Sequence, residues 1–163
     1  AARALGLMHG AVHAEFRVNP EGVWPIEIAP RSIGGLCSRA LRFEGGDSLE
    51  VILLRHALGD CAEIRRENVA SGVMMIPIPR AGRLRAVRGA DEARSVPGGV
   101  ELNLTQPIGS ELVPLPEGAQ YLGFLFARSD QPDQVERSLR EAHGRLTFDI
   151  EVPAEAGEEI TER

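Results

Sequence analysis

The amino-acid sequence predicts an α+β protein: an antiparallel hairpin with short helices, followed by a small antiparallel-sheet-and-helix domain. Three observations predict it. Two extended runs near the N-terminal end flank a strong turn. An apolar helix with clear start and stop signals comes next. The second half then alternates apolar strands with one long amphipathic helix.

Residues 1–7 read as the end of a helix stopped at Gly6. GAVHAEFRV (10–18) and VWPIEIAP (23–30) are extended runs joined by Asn19-Pro20-Glu21-Gly22, where Pro fixes one dihedral and Gly accepts a positive φ. In the first run Val12, Ala14 and Phe16 share one face, and His13, Glu15 and Arg17 the other. In the second, Glu27 lies opposite Ile26 and Ile28. SIGGLCSRALRF (32–43) carries a Gly-Gly loop into a short helix. SLEVILLRHALG is expected to be a second helix, with Asp47 as cap, Glu50 three residues beyond it and Gly59 as stop.

A charged connector, ALGDCAEIRRENVA, separates the two parts. The expected division is 1–62, 68–152 and an acidic tail at 153–163. In the second part, residues 71–79 are a continuous apolar strand, 83–89 a second and 100–106 an alternating third. ADEARSVPG gives a short helix and turn, and GSELVPLPEG a loop. AQYLGFLFARS (119–129) is the most apolar strand. In the following helix Val135, Leu139, Ala142 and Leu146 recur at helical spacing, with Pro132 in its first turn. TFDIEV closes as a strand.

Composition narrows the function classes. With 163 residues the chain can bury one good core, or one core plus an appendage. No run approaches the roughly 18 apolar residues of a membrane span, and Arg3 and His9 interrupt any signal-peptide pattern. Net charge is −6 without a basic run, which argues against nucleic-acid binding. Arg80, Arg83, Arg85 and Arg88 read as a solvated strand-and-turn face. Cys37 and Cys61 are too few for a disulfide framework or a zinc site, so reduced, cytoplasmic thiols are expected. All 18 basic residues are Arg; there is no Lys. The chain opens on AARALGL without Met and reads as a fragment whose partner segments lie upstream.

One constellation carries chemistry. Glu15 and Glu27 are 12 residues apart on paired strands, so both carboxylates reach one sheet face. Two like charges so placed repel unless a cation lies between them. Carboxylate oxygens suit magnesium, which completes its octahedron with water and substrate phosphates. Arg31 follows Glu27 by four residues and suits a phosphate or a tetrahedral intermediate. Ile33-Gly34-Gly35 offers backbone N–H groups at a helix start, an anion cradle.

GxVHAEFRV…GxWPIEIAPRSIGG resembles the metal-binding hairpin of the ATP-grasp superfamily. The resemblance implies that Glu15 and Glu27 hold magnesium (or manganese) on ATP and that Arg31 contacts the transferred phosphate or acyl phosphate. Many members carry Asn where this chain has Ala29, and the Ala form is also seen in carboxyaminoimidazole ribonucleotide synthases and L-amino acid ligases. SGVMMIPIPRAGRLRAVRGADEARSVPGG…REAHGRLTF (71–148) is similar to the C-terminal domain of the L-amino acid ligase type. The implied chemistry is phosphorylation of a small carboxylate by ATP and attack of an amine on the acyl phosphate, giving an amide or peptide bond. The family's ATP site also needs two lysines and a Gly-rich loop upstream, so this segment alone is expected to be inactive. Alternatives are a carboxyaminoimidazole ribonucleotide synthase-like enzyme and a non-catalytic binding or oligomerisation module on the same scaffold.

The remaining candidates are weaker. His13 shares a face with Glu15 and is placed either at the substrate side or in an ordinary sheet contact. His9, His56 and His143 read as structural or exposed. Cys37 has no His/Asn partner pattern and reads as a packed thiol. Trp24, Tyr121, Phe124 and Phe126 read as core or interface packing. Strand 121–127 is compatible with pairing across a homodimer or with a buried central position.

Overall fold

Asn19 closes the first hairpin. Its side-chain carbonyl accepts hydrogen bonds from the backbone N–H groups of Glu21 and Gly22, both at 3.0 Å. This is the side-chain turn that Asn forms with residues just ahead of it. In the computed structural model, which describes residues 1–60 and 63–152, strands β1 (His13–Asn19) and β2 (Gly22–Ala29) flank this turn as an antiparallel pair. Register runs from Asn19↔Gly22 to His13↔Ala29, with one irregularity. Glu15 pairs with Glu27 but Phe16 pairs with Pro25, so Ile26 is the extra residue of a β-bulge. Proline, lacking an N–H, is tolerated beside such a break.

The chain divides into two units, Ala1–Asn68 and Val69–Arg163. In the first, the opening helix end is a single 3-10 turn, Ala2–Leu5, followed by Gly6 in the left-handed conformation. The short helix expected over 32–43 is also only a 3-10 turn, Cys37–Ala40. Helix α1 spans Leu49–Ala57. Its cap is Ser48, not Asp47: the Ser48 hydroxyl accepts from the Val51 N–H at 3.3 Å, whereas Asp47 pairs with Arg55. Gly59, at φ 88°, ends the helix as expected, since Asp60 N–H reaches back to the Arg55 carbonyl at 2.9 Å across a left-handed residue. Among the described residues of this unit, Cys37, Phe43 and Ile52 are the buried apolar side chains.

The described residues of the second unit form two three-stranded antiparallel sheets. Strands β3 (Ala70–Ile76), β5 (Glu101–Leu104) and β7 (Gly123–Ser129) form one in the order β3-β7-β5. Strands β4 (Gly82–Arg88), β6 (Glu111–Leu112) and β8 (Thr147–Glu151) form the other in the order β6-β4-β8. Helix α2 (Ala90–Arg94) is one short turn, and α3 (Pro132–Arg145) is the long amphipathic helix. The loop expected over 109–118 therefore contributes a two-residue strand to β4.

The core gathers Ile76, Leu84, Leu122, Leu125, Ala127, Val135, Leu139, Ala142 and Ile150. Val135, Leu139 and Ala142 are the inward stripe that the helical spacing predicts. Both edges of β7 are occupied by β3 and β5, so strand pairing across a dimer is not open to it. This is the buried-central-strand case, and burial on both faces explains its unbroken apolar run.

Among the described residues no helix is long and apolar enough to cross a membrane. Cys61 and the acidic tail expected from Pro153 lie outside the described residues.

Candidate functional site

Glu15 and Glu27 are direct cross-strand partners in the β1–β2 pair. Residues in that relation carry their side chains on the same face of the sheet, with Cβ atoms about 4.5–5.5 Å apart. The two carboxylates are half exposed, at 50% and 45%. Each is held by a neighbour. His13 Nε2 lies 3.0 Å from Glu15 Oε1, and Arg31 Nη2 donates to Glu27 Oε1 at 2.9 Å. Arg31 Nη1 also donates to the Ser32 carbonyl at 3.2 Å, so the guanidinium forks between β2's carboxylate and the loop backbone.

Local sequence explains the placement. His13 and Glu15 are two apart on β1 and project from one face. Ala29, opposite His13, is small. Just past β2, the Arg31 N–H bonds to the Ala29 carbonyl at 2.9 Å, and the chain turns sharply. That turn swings the side chain back toward Glu27.

The Ile33-Gly34-Gly35 segment follows Arg31 as irregular backbone, with Gly35 at φ 60°. Gly34 lies beside the cluster: a Cβ there would sit 3.9 Å from Arg31 Nη1. No bond in this structure joins Ile33 or Gly35 to the carboxylates. Because the helix behind the loop is a single 3-10 turn, any anion cradle here rests on loop N–H groups, without a full helix dipole.

The bulge adds a residue that alternation alone misses. Beyond Ile26 the register shifts, and Trp24 pairs with Arg17, on the face of Glu15 and Glu27. Pro25 inside an otherwise regular run was the available signal of a break in the ladder.

The donors are of the type that a hard divalent cation takes. Two carboxylates share a face, and each keeps a second oxygen beyond the one engaged by His13 or Arg31. Among the described residues no group of three or more His, Cys, Asp or Glu could hold a metal on its own. A carboxylate pair alone suits magnesium, which is commonly bound by one or two carboxylates plus phosphates and water. Cys37 stands apart from this chemistry. It is buried, and burial pushes its thiol up, away from the reactive thiolate.

Comparison with known proteins bears on this geometry. Residues 1–40 match the model of the ATP-grasp domain, and residues 74–151 match that of the L-amino acid ligase C-terminal domain 2. No curated protein sequence matches the chain. Among solved structures, L-amino acid ligase from Bacillus licheniformis superposes with a TM-score of 0.73 at 22% identity, over 93% of this chain and 38% of that one. N5-carboxyaminoimidazole ribonucleotide synthetase from Thermotoga maritima gives 0.63 at 17% identity, over 85% and 36%. Phosphoribosylglycinamide synthetase from Anaerococcus prevotii gives 0.66 at 16% identity, over 92% and 39%. The chain thus spans little more than a third of the length of these structures. At these identities the likeness is one of fold. The α+β architecture resembles that of these structures, with residues 1–40 similar to the ATP-grasp domain and residues 74–151 similar to the L-amino acid ligase C-terminal domain 2.

Proposed function

We propose that this chain supplies the metal-binding carboxylates of an ATP-dependent carboxylate–amine ligase, which forms an amide or peptide bond through an acyl phosphate. The observation that carries the reading is Glu15 directly opposite Glu27 on one face, with Arg31 bonded to Glu27. Magnesium-ATP would supply the phosphoryl group and neutralise its developing charge. In this reading Glu15 and Glu27 hold the cation and Arg31 steadies the charge on the transferred group. Ile33, Gly34 and Gly35 lend backbone N–H groups to its oxygens. The match of residues 74–151 to the L-amino acid ligase C-terminal domain 2 favours the amino-acid branch over the ribonucleotide synthases.

The chain has no lysine, so no ammonium from this segment can grip the nucleotide phosphates. Activity therefore belongs to the full-length protein, and the 163-residue chain alone should turn over nothing measurable. Alanine at Glu15 and at Glu27 in the full-length protein tests the site. Amine-dependent ADP release should fall to background in both. Amide formation that survives both changes rules the site out.

A further inference from the structure

We infer that His13 is a positioning residue, which fixes the Glu15 carboxylate for the divalent cation through a hydrogen bond from Nε2. The inference rests on the metal role proposed for Glu15 and extends it to a residue that is not itself a ligand.

The cross-strand pair has a built-in difficulty. Two carboxylates directly opposite one another repel, and half-exposed side chains are free to swing into solvent. Each therefore needs a tether if both are to face one ion. Arg31 tethers Glu27 at 2.9 Å. His13 is the corresponding tether on β1, at 3.0 Å from Glu15 Oε1.

Three features suit it to the task. Its spacing of two residues puts the imidazole on the carboxylate's face. Ala29 opposite leaves room for the ring to lie along the strand toward Glu15. The ring is 21% exposed against 50% for the Glu15 side chain, so the better-held group restrains the freer one. A carboxylate only accepts, so Nε2 carries the proton of this bond. Outer groups of this kind orient metal ligands, and their loss weakens metal binding even though they never touch the ion.

The test is Mn2+ affinity, read by electron paramagnetic resonance of free Mn2+, in the full-length protein with a non-hydrolysable ATP analogue. H13F, which keeps a ring and removes the donor, should bind Mn2+ about tenfold more weakly. H13Q, whose amide N–H can replace Nε2–H, should recover most of that loss. Because His13 acts through Glu15, the H13F/E15Q double variant should bind no more weakly than E15Q alone.

H13F binding as tightly as the parent while E15Q binds weakly would overturn the positioning role and leave the proposed function standing. Additive losses in the double variant would overturn it as well, by making His13 a ligand in its own right, and so would H13Q as weak as H13F. E15Q as tight as the parent would instead remove Glu15 from the site, and both readings with it. Should H13F disturb the fold by circular dichroism, H13N replaces it. Its shorter amide withholds the donor, so H13N must bind weakly where H13Q binds tightly.

Discussion

Glu15 and Glu27 face each other across the β1–β2 pair, and a hairpin that sets like charges opposite one another gives up stability when no cation is bound. A ligand that binds only the folded state stabilises it by mass action, by about 2.7 kcal/mol at a hundredfold excess over Kd. At fixed ATP analogue, adding Mg2+ should therefore raise the melting midpoint of the full-length protein. In the E15Q/E27Q variant that magnesium-dependent increment should vanish. An undiminished increment means that the ion sits elsewhere.

Arg31 is a fork, with Nη2 on Glu27 and Nη1 on the Ser32 carbonyl. Lysine keeps the charge but cannot span both acceptors in one plane. If the proposed ligase reading holds, R31K in the full-length protein should lower kcat at least about a hundredfold, the usual scale for losing one aligned charge stabiliser. Mn2+ affinity should change far less. Steady-state kinetics beside the Mn2+ titration separates the two, and an unchanged kcat would confine Arg31 to holding Glu27.

The cap of α1 is also open to test. Ser48 accepts from Val51 N–H, and Asp47 pairs with a half-exposed Arg55. S48A should cost about 1 kcal/mol in chemical denaturation. D47A should cost less than about 0.5 kcal/mol, because solvent screens its ion pair. The reverse order would restore Asp47 as the cap.

The same helix start carries an acid response. The Ser38 hydroxyl, then Glu50's own backbone N–H and the Ser48 hydroxyl, hold the Glu50 carboxyl below its ordinary value of 4.5. A group with a depressed folded pKa adds stability above its unfolded value and loses it as pH falls through the folded one. Melting midpoints should thus drop below pH 4.5 with a contribution that E50Q removes. The effect is small on so exposed a carboxylate. Parallel pH profiles for parent and E50Q would count against it.

These residues show where sequence was informative and where it was not. The hairpin was legible because Asn19 to Gly22 has turn chemistry and its flanks alternate, and both constraints are local. Its bulge was not: Pro25 announces a break without saying which residue is extra, and so Trp24's face was hidden. In the sequence, Glu50 three residues on favours Asp47 as the cap. Ser48 satisfies the same chemistry, and only geometry separates neighbours. Strand β6 was illegible because two residues carry no period, and its pairing is fixed by β4. The carboxylate pair was legible as residue types, whereas the Nε2 contact from His13 depends on a ring orientation that no pattern encodes.

Packing of α3 on its sheet gives the most direct check of the second unit. Gly72 on β3 is a site of close approach: a Cβ there would lie 2.8 Å from Val135 Cγ1 and 3.1 Å from Leu139 Cδ1. Both obstacles are side-chain ends on a buried helix face, so they can yield, but only against a filled core. G72A should therefore cost about 1–3 kcal/mol, the usual range for overpacking. V135A alone should also destabilise, by leaving a cavity. Combined, the new methyl occupies the space the old ones leave, and the double variant should be more stable than the sum of the two losses predicts. Strict additivity in urea unfolding would mean that α3 does not rest on Gly72 in solution.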